Sequence, residues 1–311
     1  MRAHSFANRE VAAYYLKELH NRAHTDRKMR VVFLVQDSVI WDKQQPVYDV
    51  FAADETVETV IVLVPTYKAT DSAVQNSVGR YDAHYWHFFH EHYPNVYDFT
   101  NTFDLSVFAP DYIFMASPYE GLRPLVGTRA RDLARIAKLC YVAYGTQGLK
   151  FFIYSETMMP EFFSHLSFYF CDSEEEKSAM EAAYPLTVNA GVQHFEDIGY
   201  PGFEPYLNTP HEERVMRKVL WMPRWNTEER IGGSHFFAFK DAFLAFAEKY
   251  IRAGIQFVIR PHPLMFDNFV QKGQMTEQEV RDYKAQLEMC GVTWMRGCLL
   301  PRKHCARRLS C

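Results

Sequence analysis

Two rhythms of apolar residues alternate along this chain. Short, nearly unbroken apolar runs are followed by longer stretches with apolar positions at helical spacing, which is the pattern of a mostly parallel sheet covered by helices. Val11, Tyr14, Tyr15 and Leu19 predict a helix over 10–23. Residues 30–36 read as a buried strand, 46–51 as the beginning of a helix, and 57–65 as a strand closed by Pro65. A helix over 79–93, a strand over 111–116, a helix over 128–137 and a strand over 139–143 follow. Strands over 167–171 and 197–201 bring the first half to about six strands in β-α alternation, enough for one doubly wound domain.

Residues 205–213, with Pro210, His211, Glu212 and Glu213, form the best linker. The rhythm then restarts with a strand over 218–223, a helix over 236–251, a strand over 255–260 and a helix over 276–289. Glu277 and Glu279 lie in the first turn of that last helix, where its dipole favours them. A further strand begins at 292–294. The expected organisation is a Rossmann-like domain over 1–208, a partial one over 209–294, and an atypical tail over 295–311. That tail has no acidic residue, carries Arg296, Arg302, Lys303, Arg307 and Arg308, and holds Cys298, Cys305 and Cys311, half of the chain's six cysteines. Three readings stand: a coding frame lost near residue 295, leaving non-native sequence; a natural basic tail; and a zinc site of Cys298, His304, Cys305 and Cys311, which lacks the paired cysteine spacing of such sites.

Composition narrows the function classes. The 48% hydrophobic and 23% charged content belongs to a folded globular protein. A net charge of −4 argues against a nucleic-acid partner. No run reaches the roughly 18 apolar residues that span a bilayer, the first ten residues lack a secretory core, and Cys140 and Cys171 fall in strands without paired spacing. A reducing, cytoplasmic setting is expected, with peripheral attachment to the inner face of the cell membrane left open. Neither a cofactor nor an oligomeric state is indicated.

Three segments of the second half carry candidate chemistry. Arg260-Pro261-His262-Pro263 directly follows a buried strand, where ligands bind in open α/β sheets. A stiff turn holding a cation and an imidazole suits a diphosphate, although the same residues also serve as a plain strand-ending loop. Trp221-Met222-Pro223-Arg224-Trp225-Asn226 ends the preceding strand in the same way, and adjacent parallel strands would bring Arg224 to Arg260. Gly232, Gly233, Ser234 and His235 precede the 236–251 helix: either an ordinary cap with Ser234 as N-cap, or an anion cradle at the positive helix end. In the first half, Tyr144, Gly145 and Thr146, with Gln147 and Gly148, follow a strand and are expected to face a cleft. His84, His87, His90 and His92 lack a metal-binding pattern and read as packing or surface residues, and 172–177 reads as an acidic helix start.

Pro223-Arg224-Trp225, the Gly232–Phe236 helix start and the 259–266 segment together resemble the CDP-glycerol glycerophosphotransferases, the teichoic-acid polymerases and their relatives; Pro118-Tyr119 and 141–146 extend the similarity to the first half, over about 30–294. The resemblance implies a GT-B-like α/β fold of two Rossmann-like domains with parallel sheets, the second incomplete. It implies transfer of a polyol-phosphate from a CDP-linked polyol donor to a hydroxyl of a membrane-linked polymer acceptor, with release of CMP. It implies Arg260, Arg224, Gly232, Gly233, Ser234 and His235 at the donor phosphates, Gly145, Thr146 and Trp225 in the cleft, and His262 and Tyr144 as catalytic residues. Two departures stand out. The family has a histidine where Tyr144 stands, and tyrosine, with an ordinary pKa near ~10, is a poor base at neutral pH; the family's later donor-binding segment is missing after residue 294. Two alternatives remain: a GT-B glycosyltransferase using a nucleotide sugar, and an inactive or purely binding protein.

Overall fold

The computed structural model describes residues 27–36, 40–64, 83–98, 104–123, 126–146, 159–207, 217–228 and 233–295. The expected helix over 10–23, His84's side chain, Gln147, Gly148, Gly232 and the tail from residue 296 lie outside what is described. The chain divides into two compact units at residues 209–210.

The first unit is built on a seven-stranded parallel sheet in the order β3-β2-β1-β4-β5-β6-β7. Its strands are β1 (Met29–Val35), β2 (Val57–Leu63), β3 (Val96–Asp98), β4 (Tyr112–Met115), β5 (Lys138–Val142), β6 (Phe168–Cys171) and β7 (His194–Asp197). From Val31 to Val35, β1 runs apolar and buried without a break because both of its faces are covered, as a central parallel strand requires. On one face Val31, Phe33 and Val35 pack with Trp41 and Tyr48 of α1 (Trp41–Ala52) and Phe88 and Phe89 of α2 (Ala83–His92). On the other, Val32, Leu34, Ile113, Met115, Leu139 and Tyr141 meet Phe162 and Phe163 of α4 (Pro160–Ser164) and Met180 of α5 (Glu174–Ala183). The remaining short helices are α3 (Ala130–Leu133), α6 (Pro185–Asn189) and α7 (Glu204–Leu207).

Asp111 fastens the junction of β1 and β4. Its carboxylate accepts two hydrogen bonds from the Arg27 guanidinium, at 2.9 and 3.1 Å, and one from the Arg30 backbone N–H at 2.7 Å.

The second unit has a three-stranded parallel sheet in the order β10-β9-β8, with β8 at Lys218–Trp221, β9 at Gln256–Ile259 and β10 at Thr293–Trp294. Trp221, Ile259 and Trp294 lie side by side in register. Both crossovers step in one direction, so the right-handed rule places α8 (Phe236–Ile251), α9 (Met265–Gln271) and α10 (Glu277–Met289) on a single face. There Phe236, Ala247, Phe257, Ile259, Met265, Phe269 and Leu287 form the core, with Val219, Trp221 and Trp294 against it. Lys218, Leu220, Gln256 and Thr293 alternate to the opposite face and are exposed.

The expected α/β class, two Rossmann-like domains with parallel sheets, is the fold observed. Individual elements differ. α1 begins at Trp41 rather than at Pro46, because burial of Trp41 extends the helix across the proline. β7 occupies His194–Asp197 instead of 197–201, where Gly199 takes a positive φ of 73° that ends extended pairing.

Candidate functional site

β8 and β9 end together, and their chains continue side by side. The N–H of Arg260 donates to the Trp221 carbonyl at 2.9 Å and that of His262 to the Pro223 carbonyl at 3.1 Å. Pro223, Pro261 and Pro263 donate no hydrogen bond of their own and stiffen the turns that follow. The result places Met222-Pro223-Arg224 alongside Arg260-Pro261-His262 at the carboxyl edge of the small sheet. Arg224 is exposed and Arg260 half-buried. The Trp225 ring lies with its centroid 6.3 Å from that of His262.

His262 is not poised as a charged acid. Its Nδ1 accepts from the Leu264 N–H at 3.2 Å, which assigns the ring hydrogen of the neutral form to Nε2. Loss of water around the ring, and then the positive charge of Arg224, lower its pKa below the ordinary 6.5. At neutral pH the imidazole is therefore an uncharged donor through Nε2–H beside two permanent cations.

The connection from β8 to α8 folds back over this edge. The Ser234 N–H donates to the Asn226 carbonyl. Gly233 comes so close to the chain before it that a Cβ would stand 2.5 Å from the carbonyl carbon of Thr227 and 2.6 Å from the nitrogen of Glu228, so only glycine fits. Ser234 is not the N-cap: His235 holds that position without a side-chain bond, and the Ser234 hydroxyl accepts from the Phe236 N–H at 3.1 Å, one turn position early.

Tyr144, Gly145 and Thr146 lie in the first unit, past the end of β5. Tyr144 donates its N–H to the Ala116 carbonyl at 3.1 Å and its hydroxyl to that of Tyr119 at 3.4 Å, while the Tyr200 hydroxyl donates to the Tyr144 carbonyl at 3.0 Å. Gly145 has open space where a Cβ would project, and Thr146 is exposed. Tyr144 thus belongs to a small tyrosine network. Of the histidines in α2, His90 lies over Trp86 and 3.9 Å from Asp98, and His92 stacks on Phe88.

Two residues were given no role from the sequence, where Asn226 enters only as the last residue of a candidate segment. Arg123 sits where the strand order reverses between β1 and β4, its side chain wholly out of water, donating to the Ser117 carbonyl at 3.1 Å, to Gln36 Oε1 at 3.4 Å and to Glu120 at 3.3 Å. Burial lowers its pKa to about 10, against the pull of Glu120, so it stays charged at neutral pH. The second is Asn226, at 1% exposure. Nothing in the surrounding sequence separates either from an ordinary loop residue.

No protein-family model matches this sequence, and no curated protein matches it. Among solved structures, the chain is similar to UDP-GlcNAc 2-epimerase from Neisseria meningitidis bound to UDP-GlcNAc, at 11% identity and a TM-score of 0.48, over 86% of this chain and 72% of that one. It is similar to the S. aureus MnaA–UDP complex at 11% identity and a TM-score of 0.44, over 78% of this chain and 65% of that one. Anabaena HepE in complex with UDP and glucose aligns at 13% identity and a TM-score of 0.39, over 86% and 69%.

These findings correct the family reading. No model of the CDP-glycerol glycerophosphotransferases matches, and these three solved structures are a UDP-GlcNAc 2-epimerase and two complexes with UDP, none of them a CDP-polyol transferase. The CDP-linked polyol donor, the membrane-linked polymer acceptor and the release of CMP fall with that family. The short motifs behind it, a proline-flanked arginine and histidine after a strand, follow from the geometry of parallel strand ends and do not single out one family. Among the described residues, no helix is long and apolar enough to cross a membrane.

Proposed function

We propose that the protein is an enzyme acting on a nucleotide sugar, whose diphosphate is held at the joined ends of β8 and β9 by Arg224 and Arg260. The observation that carries this reading is the pair of main-chain hydrogen bonds, Arg260 to Trp221 and His262 to Pro223, which set two cations and a neutral imidazole donor on one edge of a parallel sheet. Carboxyl ends of parallel strands are where open α/β sheets take ligands, and guanidinium groups match phosphate oxygens. As the bond between sugar and phosphate breaks, negative charge builds on the departing nucleotide diphosphate, and fixed cations stabilise that charge. His262 contributes an uncharged hydrogen bond to the same oxygens, which needs no proton uptake.

Titration calorimetry with UDP and with pyrophosphate tests this. Arg260→Ala should weaken both by about 10- to 100-fold, the worth of one charge-assisted hydrogen bond. Affinity unchanged in Arg260→Ala and in Arg224→Ala would sink the assignment, as would a wild-type protein that binds neither compound at millimolar concentration.

A further inference from the structure

Asn226 is closed to solvent, yet neither the Oδ1 nor the Nδ2 of its side chain has a hydrogen-bond partner. Among the described residues it is the only buried side-chain amide to leave both its donor and its acceptor unmatched. Buried polar groups are almost always paired, and an orphaned one persists where something else holds it in place. Here three anchors do so. The Trp225 carbonyl accepts from Asn268 Nδ2 of α9 at 3.5 Å, Thr227 Oγ1 accepts from Gln274 Nε2 at 2.7 Å, and the Asn226 carbonyl accepts from the Ser234 N–H. The close approach of Gly233 to Thr227 and Glu228 locks the same segment from the other side. These contacts fix the stretch of chain that carries the amide.

This unmatched amide lies two residues from Arg224, next to Trp225, at the edge already argued to hold phosphates. We propose that Asn226 is a specificity-determining residue of that site: its side chain receives a planar amide edge of the ligand, a carbonyl beside an N–H, which matches its unmatched donor and acceptor together. The inference rests on the proposed phosphate site. Entry of such a group requires the Gly233–Ser234 turn, bonded to the main chain of Asn226, to give way, so binding exchanges one backbone contact for two side-chain hydrogen bonds. An edge of this kind is carried by the uracil ring, whose N3–H lies beside a carbonyl; the trans amide of an acetamido group points its carbonyl and N–H in opposite directions and does not present one.

The test compares wild type with Asn226→Leu, by calorimetry, against pyrophosphate, UDP, UDP-glucose and UDP-N-acetylglucosamine. Leucine keeps the branched outline of asparagine and leaves no polar atom unmatched, which offsets the greater bulk of its two methyl groups, so the variant should melt close to wild type. Pyrophosphate affinity should be unchanged. UDP, UDP-glucose and UDP-N-acetylglucosamine, which share the uracil ring, should each weaken by about 10-fold or more; a loss confined to UDP-N-acetylglucosamine overturns the inference. Should the leucine variant fold poorly, Asn226→Asp, which keeps the acceptors and loses the donor, is read in the same way. Equal affinities in variant and wild type, or a loss that includes pyrophosphate to the same degree, overturn the inference while leaving the phosphate site standing. A wild-type protein that binds none of the four overturns both.

Discussion

Glu176 closes the first turn of α5, a position that normally meets water, yet it is buried against the sheet. The Tyr169 hydroxyl donates to one oxygen of its carboxyl group, and the Asp172 N–H donates to the other at 3.1 Å. Burial is the largest influence on it, with the Asp172 charge adding to the effect and the Tyr169 bond opposing it, and its pKa rises to about 7 from an ordinary 4.5. Cys171 lies in the same pocket, its thiol pushed up by burial and by Glu176. The folded protein thus keeps a proton on Glu176 through a pH range in which the unfolded chain has released it. Stability falls as pH rises from about 4.5 to about 7 and levels off above that. Glu176→Gln, whose amide oxygen can take the Asp172 N–H and whose nitrogen can face Tyr169, should flatten that slope and gain about 1–2 kcal/mol at pH 8 relative to wild type. Urea unfolding at pH 5 and pH 8 reads the difference; parallel slopes would refute it. The sequence shows Glu176 as one of three acidic residues in a helix start, which is true of the helix and silent on burial. Asn226 is hidden for a similar reason: a polar residue after Trp225 looks solvated until the chain folds over it. Arg224, Arg260 and His262 could be located because proline and strand-end position are written in the sequence itself.

At the level of elements, the ends of the helices hold most of the local information. Thr276 and Glu279 form a reciprocal cap on α10: the Thr276 hydroxyl accepts from the Glu279 N–H at 3.1 Å, and the Glu279 carboxylate accepts from the Thr276 N–H at 2.6 Å. Thr276→Ala should cost about 1 kcal/mol, seen as a lower denaturation midpoint with an unchanged slope. The β8–α8 connection is less forgiving. In Gly233→Ala the new methyl meets rigid backbone at 2.5 Å, and thermal melting should show a loss of about 1–3 kcal/mol; a neutral outcome would mean that the connection moves freely. Long elements such as α8 and α10 were readable, since their apolar periodicity runs over several turns. β3 was not: three residues, Val96–Asp98, are too few to establish any period. β7 was displaced because His194 and Glu196 give this edge strand a polar look, while the apolar residues that follow it belong to a turn.

On the scale of the whole chain, the two units differ in how their sheets are covered. The first reverses its direction of winding after β3, and so clothes both faces; the second steps one way only, with its three described helices on one face. β-α alternation revealed both sheets, but it contains no information about strand order, which depends on where each crossover lands. Hydrogen exchange should therefore find the amides of β8 and β9 less protected than those of β1, β4 and β5; equal protection would contradict this account. The reversal in the first unit has a further cost, paid in time. β1 must hold its place until β4 arrives, and the Arg27–Asp111 contact that fastens them closes a loop of 84 residues. Chain closure over that span is a slow search compared with the neighbour-to-neighbour pairings of β8, β9 and β10. The smaller sheet should thus be the first to acquire its native pairing, and the larger should wait on a single aspartate to find its two arginines.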